Sequence, residues 1–223
     1  MTATTKTAAT KTAATKAAAA RMPTAKTPAA KSPATERKSA RERLLDSANE
    51  LFYAEGVQTV GIDRIIEHAG VAKASLYNLF GSKEELVQAY LQSRHDSTTS
   101  RIQAAIDEQE DPRERLLAVF DAQGRLFQKP AFNGCAFVSA SAEASHGGLV
   151  ESATDEFRAW IRTMFTTLAR ENGAADPDLL GRQLHMLYDG ASLSARMDHD
   201  PSIALDARNA AAALLDASLA SAG

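Results

Sequence analysis

The sequence is poor in cysteine and in long apolar runs. Its single cysteine, Cys135 among 223 residues, cannot form an intramolecular disulfide or a zinc site built from several thiolates. No stretch approaches the roughly 18 consecutive apolar residues of a membrane-spanning helix. Between residues 2 and 43 the only large apolar side chain is Met22, which leaves no core for a secretory signal. We therefore expect a cytoplasmic protein with no membrane partner.

The motifs of the common catalytic classes are also missing. The sequence has no G-x-S-x-G, no G-x-G-x-x-G and no P-loop. The five histidines do not have the close spacing of metal ligands; they are His68, His95, His146, His185 and His199. Cys135 precedes Ala-Phe-Val, a context more typical of a small buried side chain than of a nucleophile. We expect no enzyme activity, no cofactor and no metal.

Charge is distributed unevenly along the chain. Residues 1–35 carry a net charge of +6, residues 36–95 carry −1 and residues 96–223 carry −8. The first segment repeats Thr-Lys-Thr-Ala-Ala, has a basic residue every five positions from Lys6 to Lys31, and contains almost nothing large to bury. It is predicted to be a disordered basic tail. Two interpretations stay open: an inert solubilising extension, or an arm that touches DNA phosphates without reading sequence.

A small three-helix head is predicted at 36–95. Apolar residues at helical spacing mark a first helix, Leu44, Ala48, Leu51 and Phe52, and a second helix, Ile62, Ile65, Ile66 and Ala69. Gly70 is placed to end the second helix in a left-handed conformation. A third short helix follows with Leu76, Leu79 and Phe80 turned inward. Two short helices joined by such a tight turn predict a helix-turn-helix.

A fourth helix begins at Ser82, because Ser82 and Glu85 match a capping box, and continues past Ile106. The body at 96–223 is also helical, with Asp111-Pro112 opening the next helix and Asn172-Gly173 closing a later one. The only strand-like stretch is the short Ala136-Phe137-Val138. The predicted fold class is all-α, with a helix-turn-helix head on a helical body.

The residues of the head resemble the TetR family of transcriptional regulators. The matching motifs are LLDSANELF at 44–52, Gly56, Ile62, Ile65, AGV at 69–71, LY at 76–77, Phe80 and SKEEL at 82–86. The resemblance covers the head from Arg37 to Leu86. It implies a DNA-reading head on a body that dimerises and binds a small molecule. Helix-turn-helix proteins normally bind two half-sites, which also favours a homodimer.

Seven residues of the head are predicted to contact double-stranded DNA: Gly61, Lys73, Ala74, Ser75, Tyr77, Asn78 and Lys83. The side chains of Lys73, Ser75 and Asn78 suit base edges and phosphates, while the resemblance implies a backbone contact for Tyr77. Lys83 would meet a phosphate together with the N-terminal amides of its helix. Arg37, Lys38 and Arg41 are equally well explained as phosphate contacts or as solvated surface charge.

Three positions depart from the family's usual pattern. Gly61 and Ala72 stand where the family usually has a hydroxyl residue at the start of each helix of the motif. Backbone amides would then replace the hydroxyls as phosphate contacts. Leu79 replaces a histidine or another ring and so removes one polar or stacking contact.

Two segments of the body, Gly134–Val138 with Glu143 and Leu187–Ala191, also resemble ligand-binding domains of the family. The predicted pocket residues are Phe120, Phe127, Trp160, Met164, His185, Tyr188 and Asp189. The aromatic members are core residues first, and some of them would line a cavity. His185 and Asp189 are either the polar end of the pocket or a self-satisfying surface stripe.

Two apolar stripes near the C-terminus are the predicted dimer interface: Leu180, Leu184, Leu187, Ala191, Ala207, Ala211, Leu214 and Leu215. The alternative is that both stripes bury against the rest of one protomer. The function predicted from all these features is a repressor released from a palindromic operator by a small-molecule effector. The alternative function is a less selective nucleoid-type DNA-binding protein that relies on its basic tail.

Overall fold

The computed structural model describes residues 38–220, and these residues contain helices and no strand. The helices are α1 (Ala40–Glu55), α2 (Ile62–Ala69), α3 (Lys73–Phe80), α4 (Lys83–Asp107), α5 (Pro112–Phe127), α6 (Ala136–Glu143), α7 (Leu149–Glu171), α8 (Pro177–Asp198) and α9 (Ile203–Ala220). The all-α class is confirmed. None of these helices is both long enough and apolar enough to cross a membrane. The predicted tail at 1–35 and Arg37 lie outside the described residues.

The head is built from α1, α2 and α3 around the apolar positions that the sequence indicates. Leu44, Ala48, Ile65 and Leu76 are buried at its centre. α1 begins four residues earlier than the first of these positions, because Ser39 and Glu42 form a complete capping box. That box satisfies backbone amides in the first turn and fixes the start of the head.

The turn between α2 and α3 has the predicted geometry. Gly70 has φ +63 and ψ +43, a left-handed conformation that costs a glycine least. Its backbone amide donates to the carbonyls of Ile66 and Glu67, which completes the end of α2. Leu76 and Phe80 face inward, but Leu79 is 40% exposed, so the prediction that Leu79 turns inward is wrong. Residue 79 lies about 100° around the helix from the inward-facing Phe80, at the flank of the buried face, where its side chain reaches solvent.

α4 connects the head to the body without interruption. The Ser82 side chain accepts from the Glu85 amide at 3.1 Å and caps its first turn. Tyr90 in α4 contacts Phe52 of α1 edge to face, with ring centroids 5.6 Å apart. Because α4 runs from residue 83 to residue 107, it crosses the predicted domain boundary at residues 95 and 96. The head and the body therefore share one helix.

The body is a bundle of α5 and α7–α9 packed against α4. Phe120, Phe165 and Tyr188 form an aromatic cluster in its core, with ring centroids 5.8–6.3 Å apart. The strand-like Ala136-Phe137-Val138 is the first turn of α6, a short helix that the sequence pattern does not predict. Phe137 stacks on Phe157 of α7, with ring centroids 3.9 Å apart, and this contact holds α6 to the bundle.

Candidate functional site

The second helix of the helix-turn-helix, α3, presents polar side chains to solvent. Lys73, Ala74 and Asn78 are exposed, Ser75 is half-buried and Tyr77 is 45% exposed. Leu76 and Phe80 anchor the opposite face of the same helix in the head. The predicted DNA contacts on α3 therefore project from a helix whose orientation is fixed by its own core residues.

Two lysines border this surface, and each already has a polar partner in the protein. The Lys73 ammonium donates to Asp63 of α2 at 2.9 Å, and this hydrogen bond raises the pKa of Lys73. Lys83 is half-buried, and its ammonium lies 3.5 Å from the carbonyl oxygen of Gln58. Both cations lie beside the exposed face of α3, where they suit phosphate contacts.

The N-termini of α2 and α3 carry no side-chain cap. Gly61 precedes α2 and Ala72 precedes α3, and neither residue provides a side-chain hydrogen bond to the first turn. The first amides of both helices are therefore available to an anionic oxygen such as a phosphate oxygen. Of the flanking basic residues in the described part of the chain, Lys38 pairs with Asp46 at 2.6 Å and Arg41 lies over the Phe80 ring.

The body contains a small cavity and an adjoining groove. The inner cavity, about 60 Å³, lies among Tyr53, Arg94, Cys135, Phe137, Phe157 and Tyr188, together with their neighbours. The outer groove, about 640 Å³, extends along Asn49, Lys129 and Phe132. Tyr53, Arg94, Ser97, Arg101 and Leu126 line both spaces. These shared residues make the two spaces neighbours.

Of the seven predicted pocket residues, Tyr188 alone lines the inner cavity. Phe120 is packed in the aromatic core and reaches a separate surface groove, while Trp160 and Met164 line another. Phe127 is buried and stacks against Phe132 with ring centroids 4.8 Å apart. The structure thus places most of the predicted aromatic residues in the core rather than around one ligand.

His185 and Asp189 do lie together, as their spacing indicates. The His185 ring nitrogen Nε2 is 3.5 Å from the Asp189 carboxylate but makes no hydrogen bond, whereas Arg158 donates to that carboxylate at 2.8 Å. Burial lowers the pKa of His185, and the positive charges of Arg158 and Arg162 also lower it. The negative charge of Asp189 acts in the opposite direction. Asp189 lines a small space next to Cys135 and Phe137, and His185 itself is buried.

The cavity residues that sequence reasoning missed are Tyr53, Arg94 and Arg101. The segment at 134–138, which resembles ligand-binding domains of the family, does reach the inner cavity through its first four residues. Tyr53 belongs to the last turn of α1, yet its hydroxyl donates to the Gly134 carbonyl at 2.9 Å. The same hydroxyl accepts from the Asn133 amide, and the Asn133 side chain donates to the Tyr53 carbonyl at 2.7 Å. A signal was present, because Arg94 and Arg101 are seven residues apart and so share one face of α4.

Comparison with known proteins decides the family. The family model described as bacterial regulatory proteins, tetR family, matches residues 44–90. A TetR-family regulator structure from Streptomyces coelicolor shares 33% identity, with 80% of this chain and 95% of that chain covered and a TM-score of 0.76. A TetR-type regulator structure from Streptomyces avermitilis shares 35% identity, with 81% and 98% covered and a TM-score of 0.73. The chain belongs to the TetR family of transcriptional regulators.

The head carries similarity to further TetR-type proteins. The HTH-type transcriptional activator FasR of Mycolicibacterium smegmatis is 40% identical over 86 residues, which are 39% of this chain and 39% of FasR. The match thus spans well under half of FasR. As a TetR-family member, this protein is a DNA-binding transcriptional regulator and not an enzyme.

The predicted dimer stripes of this TetR-family protein lie mostly inside one protomer. Six of the eight residues are buried there: Leu180, Leu184, Ala191, Ala207, Ala211 and Leu215. Leu187 and Leu214 are only half-buried. These six residues fit the alternative, in which the stripes bury against the rest of the same protomer. The large apolar side chains exposed on α8 are instead Leu179, Met186, Leu193 and Met197.

Proposed function

We propose that this TetR-family protein is a repressor that binds a palindromic operator as a homodimer and is released when a small molecule occupies its body. The observation that carries the proposal is the solvent-facing set on α3. Asn78 is exposed beside Tyr77, and a side-chain amide of this kind can make paired hydrogen bonds to an adenine edge in the major groove. The bare N-termini of α2 and α3 supply amides for flanking phosphates.

Dimerisation is supported by the outer face of α8. Leu179, Met186 and Leu193 recur every seven residues and are exposed, and Met197 continues the same face. Met186 is 70% exposed and Met197 is 69% exposed, values that are costly for large apolar side chains unless another surface covers them. We assign this exposed stripe of α8, rather than the buried residues predicted from sequence, to contact with a second copy.

The α8 stripe also contains a position suited to close helix approach. Gly190 lies between Met186 and Leu193 on the exposed side, and a Cβ atom at Gly190 would meet nothing within 4 Å. In contrast, a Cβ at Gly181 would lie 2.4 Å from the Thr166 hydroxyl, so packing of α7 inside the protomer explains that glycine. No packing contact inside the protomer explains a glycine at position 190, whereas close approach of a helix from a second copy would explain it.

Release by a ligand requires that the body and the head be connected. Tyr53 lines both the inner cavity and the outer groove, while its backbone belongs to α1 of the head. Its hydrogen bonds to Asn133 and Gly134 attach α1 to the segment that opens α6. A ligand that displaces the Tyr53 ring would thus act directly on the helix that supports α2 and α3.

The test is competition binding with purified full-length protein. DNA from the intergenic region beside its own gene competes against random duplex of equal length at a fixed salt concentration. We expect a preference of roughly 10³ or more for a palindromic site, which Asn78→Ala reduces by about tenfold or more. The control variant is Gln109→Ala, whose side chain is exposed in the body. Equal competition by both DNAs would reject the operator proposal and favour the less selective nucleoid-type protein.

Repression is measured separately with a reporter gene placed behind the same intergenic DNA. Loss of the regulator should raise reporter expression, and Asn78→Ala should raise it to the same level. The Gln109→Ala control should leave expression unchanged. Reporter expression that falls when the regulator is removed would assign activation instead.

A further inference from the structure

Two arginines on α4 project into the body without an acidic partner. Arg94 and Arg101 line both the inner cavity and the outer groove. The Nε atom of each guanidinium is buried and has no hydrogen-bond partner. Within residues 38–220, no carboxylate lies within 4.0 Å of either side chain. Two positive charges are thus concentrated at one place in the bundle.

Several other arginines of the body are paired with a carboxylate. Arg158 is paired with Asp189 at 2.8 Å, and Arg208 is paired with Glu114 at 2.6 Å. Burying an arginine Nε without an acceptor is costly, because that donor loses water and gains no hydrogen bond in return. An unsatisfied buried donor in a native fold calls for a specific explanation, and binding of an anionic ligand is one.

Tyrosine side chains contact the two guanidinium groups but do not neutralise them. The Arg94 guanidinium carbon lies 3.8 Å from the centre of the Tyr53 ring and 5.6 Å from that of Tyr90. Arg101 interacts with the Tyr188 side chain. Burial raises the pKa of Tyr188 to about 12, so that phenol stays neutral near pH 7 and remains a possible donor. Burial also raises the pKa of the Cys135 thiol, which stays uncharged.

The remaining surroundings combine hydroxyl groups with an apolar wall. Ser97 and Thr98 lie on the same stretch of α4, and the stacked rings of Phe137 and Phe157 also line the inner cavity. Glu50 lines the outer groove, and its carboxylate lies 3.5 Å from His68. The space thus combines cationic donors with aromatic surface.

We propose that the inner cavity and outer groove bind an organic carboxylate with an aromatic body, whose carboxylate is held by Arg94 and Arg101. Guanidinium groups match the geometry of a carboxylate and bind it by paired hydrogen bonds. The Phe137–Phe157 wall receives the aromatic part. The claim that this ligand is the effector rests on the proposed release function. The claim that the site binds a carboxylate is tested without DNA.

The experiment measures binding of three aromatic carboxylates and their primary amides to full-length protein by titration calorimetry. The pairs are benzoate and benzamide, 2-naphthoate and 2-naphthamide, and indole-3-acetate and indole-3-acetamide. We expect at least one carboxylate to bind tenfold or more tightly than its amide. Arg94→Gln and Arg101→Gln should each remove this preference. Arg170→Gln, which changes an exposed arginine of α7, should leave it intact.

Arg94→Lys and Arg101→Lys are second variants that keep the inference testable if the glutamine variants fail to fold. Each lysine keeps the positive charge but not the paired donors, so the carboxylate should still bind more tightly than the amide, with lower affinity than in the parent protein. Equal affinity for carboxylates and amides across the panel would overturn the inference. A preference that survives both glutamine variants would overturn it as well.

Operator release is measured afterwards with the carboxylate that binds. Release that depends on Arg94 and Arg101 supports both the site and its role as the effector site. Binding without release upholds the anion site and contradicts only the ligand-release part of the proposed function. Loss of operator binding in the absence of any carboxylate would be a defect of DNA binding and not of the carboxylate site. Failure of the site and failure of the proposed function are therefore distinguishable.

Discussion

The carboxylate of Glu143 in α6 accepts a hydrogen bond from the backbone amide of Gln58 at 2.7 Å, across 85 residues of sequence. The Gln58 side chain returns a hydrogen bond to the Glu143 carbonyl at 3.3 Å. Gln58 lies in the turn between α1 and α2, so this pair attaches the body directly to the helix-turn-helix. Glu143 belongs to α6, the helix that follows Asn133 and Gly134, the hydrogen-bond partners of Tyr53. The α6 region is therefore attached to the head by two sets of hydrogen bonds.

Gly56 shows how closely Glu143 approaches that turn. Gly56 has φ +94, and a Cβ there would lie 2.6 Å from Glu143 Oε1. Gly56→Ala should lower the free energy of unfolding by about 1–3 kcal/mol, from backbone strain and displacement of the Glu143 carboxylate. Part of the loss should disappear in a Glu143→Ala background, with a coupling energy of about 0.5 kcal/mol or more in urea unfolding.

Gly173→Ala is the matched control for that cycle. Gly173 also has positive φ, at +77, but a Cβ there would meet nothing within 4 Å. The loss of unfolding free energy in Gly173→Ala should therefore add to the loss in Glu143→Ala without coupling. Coupling of equal size at both glycines would contradict a specific contact between Gly56 and Glu143.

Asp63 restrains a lysine that the operator would use. Because Asp63 holds the Lys73 ammonium at 2.9 Å, Asp63→Asn should free Lys73 and remove a negative charge near DNA phosphates. We expect roughly two- to tenfold tighter binding to specific and random DNA alike at low salt, measured by fluorescence anisotropy. Asp178→Asn, another exposed aspartate in the first turn of a helix, is the control and should not change affinity. Unchanged affinity in Asp63→Asn would place Lys73 away from DNA.

The exposed stripe on α8 predicts how the dimer can be broken. Met186→Glu places a charge in the middle of that stripe and should convert the homodimer to a folded monomer in light scattering. The helical circular dichroism should be retained, because Met186 is 70% exposed in the protomer. Leu149→Glu is a comparable change at an exposed residue of α7 and should leave the mass unchanged. A dimer that persists in Met186→Glu would place the interface elsewhere.

His185 predicts a loss of stability on mild acidification. Burial lowers its pKa in the folded protein, so below about pH 6.5 the unfolded chain binds a proton that the folded chain does not. The free energy of unfolding therefore has its full value above about pH 6.5. It decreases as the pH falls from there to the lowered pKa of His185. His185→Gln should flatten the dependence between pH 7 and 5.5 in urea unfolding. His146→Gln, at an exposed position, should keep the parent slope.

The basic N-terminal segment gives a prediction about salt dependence. Deletion of residues 1–35 removes six cations and should leave the operator preference unchanged. If the segment touches phosphates, the slope of log affinity against log salt should fall by about 0.9 for each lost contact, equally on specific and random DNA. Identical slopes for the two proteins would identify the inert extension, and a changed site preference would contradict both interpretations.

Much of the fold follows from the sequence, because helix ends and apolar periods are local. Gly70 and Asp111 end and begin helices where their chemistry predicts. The faces of α8 are a different matter, since Leu180 and Leu184 form one apolar stripe while Leu179 and Met186 lie on another. Both stripes satisfy a helical period, and only the neighbouring helices decide which one is covered.

For a related reason, the exposed face of α3 follows from the sequence, whereas the cavity of the body does not. The contacts of α3 lie within one short motif, whose local spacing sets the exposed face. The cavity brings Tyr53 of α1 together with Arg94 and Gly134, residues that are far apart in sequence. Aromatic residues such as Phe120 attract a pocket prediction, but their large apolar surface places them in the core. No local pattern predicts that the arginines would be left without carboxylates.

The absence of side-chain caps on α2 and α3 has a consequence for how the head recognises DNA. α1, α4, α5 and α8 each begin with a serine or aspartate that satisfies their first amides, whereas Gly61 and Ala72 leave theirs unmet. The first turns of α2 and α3 are therefore less costly to open than the capped first turns of α1 and α4. A phosphate oxygen placed there would serve as the missing cap. In this head, binding the DNA backbone and completing the local fold would be a single event.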